Sequence, residues 1–462
     1  MTLFIKNTLT GKLEQFKPIN GNNVGIYVCG PTVYDNGHLG HGRSATAFDV
    51  IRKYLTYKGF NVKYVSNYTD IDDKMINRAN EEGISVQELA ARIIPEYEAD
   101  YAKLRIEKPD FQPKATEYID QMIKLVEKLS KDGYAYELDD GVYFEIEKYK
   151  EYGKLSHQKQ DELKAGSRVE KDDKKRHPHD FVLWKKAKPG EPSWQSPWGE
   201  GRPGWHIECS AMSMDILGET FDIHGGGMDL TFPHHECEIA QSECATGRPY
   251  VRYWIHNGFI NVDNEKMSKS LGNFFTLKEI FAKYDPLAVR FLFLGTHYRS
   301  PINFSDTILD QAENGLTRIR DFLVNLENYQ SDTEESAETL ETSIETALRQ
   351  FEQHMDNDFD TAGALGDLFG LIKDVNTLMR SKQIAKKDIP RIHNALAKLD
   401  SVLSVLPRIE TEVDADIEAL IQERNKARAN RDFTRSDEIR GELAKQGIML
   451  EDTPEGTIWK KV

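Results

Sequence analysis

Two histidines and two lysines are the residues of this chain whose spacing most directly suggests chemistry. His38 and His41 stand in His38-Leu39-Gly40-His41, and Lys266 and Lys269 in Lys266-Met267-Ser268-Lys269-Ser270. The histidine pair follows a strand-like run, Val24-Gly25-Ile26-Tyr27-Val28-Cys29, and a Gly30-Pro31 turn, at the opening of a helix. Free amides and the positive end of the helix dipole favour an anion there. Two imidazoles three residues apart can face one way and donate to an α-phosphate as negative charge builds on it, and Gly40 leaves room for the nucleotide. The two ammonium groups flanking Met-Ser suit a mobile lid that stabilises departing pyrophosphate. Either motif alone is also what an ordinary surface loop shows. Together, in this order and more than 200 residues apart, they describe a clamp on the phosphates of ATP and so adenylate-forming chemistry.

A second constellation has the composition of a metal site. In Pro233-His234-His235-Glu236-Cys237-Glu238, a helix would place His234 and Glu238 on one face. Cys209 lies in Trp205-His206-Ile207-Glu208-Cys209-Ser210, expected as a strand or loop feeding the same crevice, and Cys29 ends the first strand. Two thiolates, an imidazole and a carboxylate make a four-ligand zinc set at the carboxyl ends of strands, where open α/β sheets hold ligands. Spacing leaves two alternatives open: Cys29 and Cys209 as packed core thiols, and His235 as ligand in place of His234. Cys237 falls about 100° off the His234/Glu238 face and reads as a packing residue, as does Cys244.

These residues need a frame. Helical spacing over 43–58, with Phe48, Ile51 and Leu55 on one face and Gly59 as the stop, followed by a strand over Asn61-Val62-Lys63-Tyr64-Val65-Ser66, gives a β-α-β order. That order implies a Rossmann-like parallel sheet and an α/β fold; no Gly-x-Gly-x-x-Gly run opens the helix, which argues against a dinucleotide. The expected organisation is a first catalytic half over 1–114, an inserted connective subdomain over 115–204 and a second catalytic half over 205–258. A region with the lysine loop then covers 259–305, a helical bundle 306–406 and a small C-terminal unit 407–462. The bundle is read from faces such as Leu316, Ile319, Phe322 and Leu323, or Leu365, Leu368, Leu371 and Ile372. Pro407 to Asp416 reads as a linker.

Bulk properties narrow the class. At 462 residues the chain can hold several domains, and a net charge of −16 argues against a general nucleic-acid coat while leaving room for a local basic face. Arg424, Lys426, Arg428, Arg431 and Arg435 supply such a face, expected on one helix, with interspersed acids offering ion pairing as the alternative. No apolar run reaches the roughly 18 residues of a membrane span, the N-terminus lacks the order of a secretory signal, and four cysteines in so long a chain are not a disulfide framework. A cytoplasmic protein is expected.

Tyr27-Val28-Cys29-Gly30-Pro31-Thr32-Val33-Tyr34-Asp35, Thr69-Asp70-Ile71-Asp72-Asp73-Lys74, Gly204 to Ser210, Phe221-Asp222-Ile223-His224-Gly225-Gly226-Gly227 and the lysine loop resemble, in order, the motifs of class I aminoacyl-tRNA synthetases, and among them the cysteinyl-tRNA synthetase family. The similarity runs essentially the full chain. Leu39 stands where isoleucine is usual, and Cys237 where asparagine is common. The resemblance implies zinc on Cys29, Cys209, His234 and Glu238, and L-cysteine near Thr69, Trp205 and His224. It puts ATP, with Mg²⁺, between His38/His41 and Lys266/Lys269, with Gly40 at the phosphates, Asp229 at the ribose and His256 to Gly258 beside the adenine. It further implies tRNA(Cys) as partner, an anticodon-binding C-terminal unit where Trp459 stacks on a base, and a monomer. Two other readings share the scaffold: a ligase passing cysteine to an amine, and a non-catalytic zinc- and RNA-binding module.

Overall fold

A computed structural model describes residues 2–158, 174–262, 265–267, 274–409, 415–446, 448–453 and 456–461. The chain divides into two compact units, one of Met1–Glu313 with Leu348–Leu368 and Lys398–Ser404, the other of Asn314–Ala347, Phe369–Ala397 and Val405–Val462.

At the centre of the first unit lies a four-stranded, all-parallel sheet. Strands β1 (Asn23–Val28) and β2 (Asn61–Ser66) are joined through helix α1 (Leu39–Tyr57). Helix α2 (Trp205–Leu217) then precedes β3 (Phe221–Gly227), and α3 (Glu236–Thr246) precedes β4 (Val251–Asn257). Spatial order is β4-β3-β1-β2, so the chain leaves β1 to one side for β2 and returns to the other for β3. The crevice at such a reversal is where open α/β sheets bind ligands. Val24, Ile26, Tyr27 and Val28 are all buried, as befits a strand covered on both faces. Successive side chains alternate between those faces. On β3, His224 meets Glu238 of α3, whereas a Cβ on Gly225 would fall 2.3 Å from the Phe48 ring of α1. Helices therefore cover both faces. Tyr27 pairs in register with His224, so Cys29, two residues on, turns toward the α2/α3 side.

Two element expectations change. Helix α1 begins at Leu39, four residues before the expected start, because His38 caps it: its Nδ1 accepts from the Gly40 amide at 3.0 Å. Gly59, with φ of 87°, stops it as expected. Trp205 to Ser210 is neither strand nor loop but the opening of α2. That helix buries Ile207 through Ser213 without a break, which erases the amphipathic signal.

Between the sheet halves, helix Ile119–Lys131 precedes a four-stranded antiparallel sheet ending at Gly201–Pro203. Gly204 hands this sheet to α2 at a point where a Cβ would sit 2.1 Å from the Val182 carbonyl. Residues 159–173 of this subdomain lie outside the described residues. Beyond β4, Ile260–Val262 pairs with Ile302–Phe304 and with Glu265–Lys266, the root of the lysine loop.

Helices Asp306–Glu327, Glu338–Met355, Thr361–Arg380 and Ile389–Leu403 follow, and the two apolar faces read from sequence are buried. Within the second unit, helices Ala415–Ala429 and Phe433–Lys445 and the hairpin Ile448–Thr453/Gly456–Lys461 share a core of Ile421, Ile439, Leu443, Ile448 and Leu450. The basic residues are not on one helix. Arg431 sits in the turn with φ of 63°, and Arg435 lies on the next helix, paired with Glu423 and Glu438. Arg424 is buried and grips Asp452 through both terminal nitrogens, at 2.7 and 2.8 Å. The expected linker falls partly, at 410–414, outside the described residues, as does the side chain of Trp459. No described helix is long and apolar enough to cross a membrane.

Candidate active site

The carboxyl ends of β1, β3 and β4 open into a cavity of about 440 Å³. The turn after β1 is tight: Gly30 donates to Asn67 Oδ1 at 2.9 Å, and a Cβ there would overlap the Asn67 carbonyl at 1.5 Å. This closeness brings Cys29 and Thr69, which follow the adjacent strands β1 and β2, to one wall.

Three side chains converge beside Cys29. Its Sγ lies 3.4 Å from Cys209 Sγ on α2, 3.4 Å from His234 Nε2 and 3.4 Å from Glu238 Oε1 on α3. His234 Nε2 is 3.1 Å from Glu238 Oε1. These four ligand atoms all lie within 4.8 Å of one another. Separations of this size match donors about 2.0–2.3 Å from a common tetrahedral centre. Cys209, His234 and Glu238 are buried.

Charge in the cluster also suits a cation. Burial opposes the Cys209 thiolate, but hydrogen bonds from Cys29 and His234 bring its pKa down to about 6. Burial likewise opposes the charged Glu238, yet His224 and His234 hold its carboxyl well below the usual range. Desolvation disfavours charged His234, while Glu238 and Cys209 raise it to about 10. Cys29, pushed well up by burial and by Cys209, keeps its proton. Two buried anions thus share the proton of one imidazole, the charge pattern a divalent ion would replace.

Behind this layer stands a set of buried groups for which sequence reasoning found no role. His206 Nδ1 lies 3.0 Å from His234 Nδ1. Burial, then His234, holds His206 down at about 3, so neutral His206 accepts and His234 aims its Nε2 at the cluster. Tyr250 OH donates to Glu238 Oε2 at 3.2 Å. Glu208, fully buried, accepts from Thr69 Oγ1 at 2.8 Å. No spacing rule flags them, because each acts through a partner distant in sequence.

His235 comes equally near Cys29, at 3.4 Å, and is part of a second grouping with Cys29, His224 and Glu238. It is 3.9 Å from Glu238, however, and its Nδ1 is bonded to His256 Nε2 at 2.8 Å. His224 gives its Nε2 to Glu238 Oε2 at 2.8 Å and does not line the cavity; it stands one layer behind. His256 is similarly buried, between His235 and Thr8 Oγ1. Cys237 faces away, 3.3 Å from Tyr152 OH. Trp205, 41% exposed, stacks on His234 with centroids 4.3 Å apart and lines the cavity.

The same cavity is lined by His38, Gly40, His41, Asp229 and Gly258. The His38 and His41 rings stack at 3.7 Å. His38 Nδ1 accepts from Gly40 N, and His41 Nδ1 accepts from His38 N at 3.3 Å. In a neutral imidazole that places each proton on Nε2, so capping the helix also presets two Nε2–H donors. Lys266 lies on the short strand at the root of its loop, while Lys269 is outside the described residues.

Comparison with known proteins bears on the whole chain. Residues 15–314 match the model of the class I (C) tRNA synthetase catalytic domain, 350–407 the DALR domain and 410–459 the cysteinyl-tRNA ligase anticodon binding domain. The cysteine–tRNA ligase of Thermodesulfovibrio yellowstonii is 50% identical over 98% of both chains, and that of Geobacter metallireducens 50% identical over 100% of both. In fold, the chain is similar to a Mycobacterium tuberculosis methionyl-tRNA synthetase bound to methionyl-adenylate, with a TM-score of 0.61 at 15% identity over 83% of this chain and 90% of that one. An Agrobacterium radiobacter leucyl synthetase complex gives 0.62 at 11% identity over 84% of each. With a parallel sheet that reverses at β1, a thiol-rich cluster at that reversal and full-length relatives of one kind, the chain belongs to the cysteine–tRNA ligase family of class I synthetases.

Proposed function

We propose that the chain activates L-cysteine with ATP and transfers it to the 3′-terminal adenosine of tRNA(Cys). One observation carries this reading: the Cys29/Cys209/His234/Glu238 cluster and the His38/His41 donors open into a single cavity. In the first step the cysteine carboxylate attacks the α-phosphate of ATP, with Mg²⁺, giving cysteinyl-adenylate and pyrophosphate. His38 and His41, with protons preset on Nε2, stabilise the charge developing on the α-phosphate, and Lys266 and Lys269 that on the leaving pyrophosphate. In the second step the terminal adenosine hydroxyl takes the cysteinyl group, and AMP departs. No protein nucleophile is needed; positioning and charge stabilisation suffice.

Thr69, fixed by Glu208, and Trp205 border the amino acid. Asp229 faces the ribose and Gly258 the adenine, with His256 bracing that edge from behind. His224, one layer back, orients Glu238 toward the cluster. Shape alone separates cysteine from serine by only about 1–3 kcal/mol. Zinc held by Cys29, Cys209, His234 and Glu238 would select the soft, readily ionised thiol over a serine hydroxyl. The match of residues 410–459 to an anticodon-binding domain favours tRNA over a small amine as acceptor. Cysteine-dependent ATP–pyrophosphate exchange tests the first step and charging of tRNA(Cys) the second. Absence of exchange would leave the non-catalytic module, and exchange without charging would restore the amine ligase.

A further inference from the structure

Arg43 lies two residues beyond His41 on α1 and is only 2% exposed, yet among the described residues no carboxylate comes within ion-pair distance of it. A guanidinium in such a place is costly unless its donors are filled. Four backbone carbonyls take up its two terminal nitrogens, while among the described residues Nε finds no partner. Nη1 donates to Gly258 O at 3.0 Å and to Phe259 O at 2.6 Å; Nη2 donates to Tyr298 O at 3.2 Å and to Ser300 O.

The two turns so joined also bind each other. Gly258 N donates to Tyr298 O at 2.8 Å, and a Cβ on Gly258 would lie 2.6 Å from Arg299 O. The outer turn is itself anchored, through Tyr298 OH and Arg299 Nε, to Asp358, each at 2.8 Å. The inner turn lines the cavity and runs directly into Ile260–Val262, the strand that carries the root of the lysine loop. A single side chain thus ties the helix bearing the two histidines to a second segment, Gly258–Phe259, that lines the same cavity.

We propose that Arg43 is a positioning residue for ATP: it fixes the Gly258–Phe259 backbone, and through it the root of the Lys266 strand, relative to His38 and His41. This rests on the reading that places ATP in that cleft. The planar fork suits the task, since it reaches several carbonyls that a lysine ammonium cannot satisfy together.

The test uses the full-length protein in cysteine-dependent ATP–pyrophosphate exchange, with active sites titrated and thermal melts recorded for Arg43→Met, Arg43→Lys and His41→Asn. Arg43→Met should raise the KM for ATP about tenfold or more, as expected for losing charge-assisted hydrogen bonds, with the KM for cysteine within about twofold. Arg43→Lys, which keeps the charge and fewer bonds, should fall between. If both Arg43 variants melt lower and titrate fewer sites, but surviving sites show the parent KM for ATP, Arg43 only supports the fold and the proposal is overturned. Should Arg43→Met fail to fold, Arg43→Lys decides on the same readout. His41→Asn separates the two levels: if it also leaves exchange unchanged, the placement of ATP fails, not merely the role of Arg43.

Discussion

Replacing Cys209 by serine removes one sulfur and little else. The hydroxyl is nearly the same size, so α2 should keep its place, but a neutral alcohol replaces a donor whose pKa is lowered to about 6. Structural zinc sites bind with about 10–16 kcal/mol, or roughly 2.5–4 kcal/mol for each of four ligands if shared equally. Loss of one should weaken zinc binding about 10²- to 10³-fold. Competition with a chromophoric chelator measures zinc affinity, and calorimetry measures cysteine and ATP binding. Zinc and cysteine affinity should fall together, while ATP affinity, which rests on other residues, stays within about twofold. A Cys209→Ser protein that competes for zinc like the parent would refute the ligand set, and one that loses zinc but binds cysteine unchanged would refute its role in selection.

His206→Ala should weaken zinc about 10- to 100-fold without removing a ligand, as loss of a bond orienting a ligand does; an unchanged chelator titration would show that His234 is held without it. Lys269→Ala should slow pyrophosphate exchange about 10²-fold or more and leave cysteine binding intact, and an unaltered exchange rate would take Lys269 out of the site. Arg424→Ala should destabilise the C-terminal unit by about 2 kcal/mol, below the range for fully buried pairs because Asp452 is partly exposed. Denaturant unfolding of that unit with no shift in midpoint would contradict this.

The sequence was most legible where one short segment does its own work. The β1-α1-β2 order could be read because a buried strand, an amphipathic helix and Gly59 each carry local signals. The same holds for the bundle faces around Leu316 and Leu365. It was least legible where burial is complete. Trp205 to Ser210 has no polar face to reveal a helix, because Glu208 and Ser210 are as buried as Ile207. Side-chain roles divide in the same way. Motif spacing left Cys29 and Cys209 open as core thiols and His235 open as a ligand; the resemblance named Cys29, Cys209, His234 and Glu238, and neither could order the side chains in depth. His224 looked like a substrate contact and stands behind Glu238; His206 carried no signal and orients His234.

Helix α1 shows why such a motif is compact. An N-terminal cap needs an acceptor for amides that the helix itself cannot satisfy. Using His38 Nδ1 for that acceptor forces the ring proton to Nε2, and His41 Nδ1 does the same through the His38 amide. The bonds that begin the helix therefore also choose the tautomers that a phosphate requires. One half-turn beyond His41 the same helix sends Arg43 to the carbonyls of Gly258 and Phe259, which line the same cavity. Substituting His38 by serine, a good cap with no Nε2, separates the two duties: the helix should survive, with an unchanged melt, while pyrophosphate exchange falls about 10²-fold or more. A loss of stability that matched the loss of exchange would mean that the cap, not the donor, is what the reaction depends on.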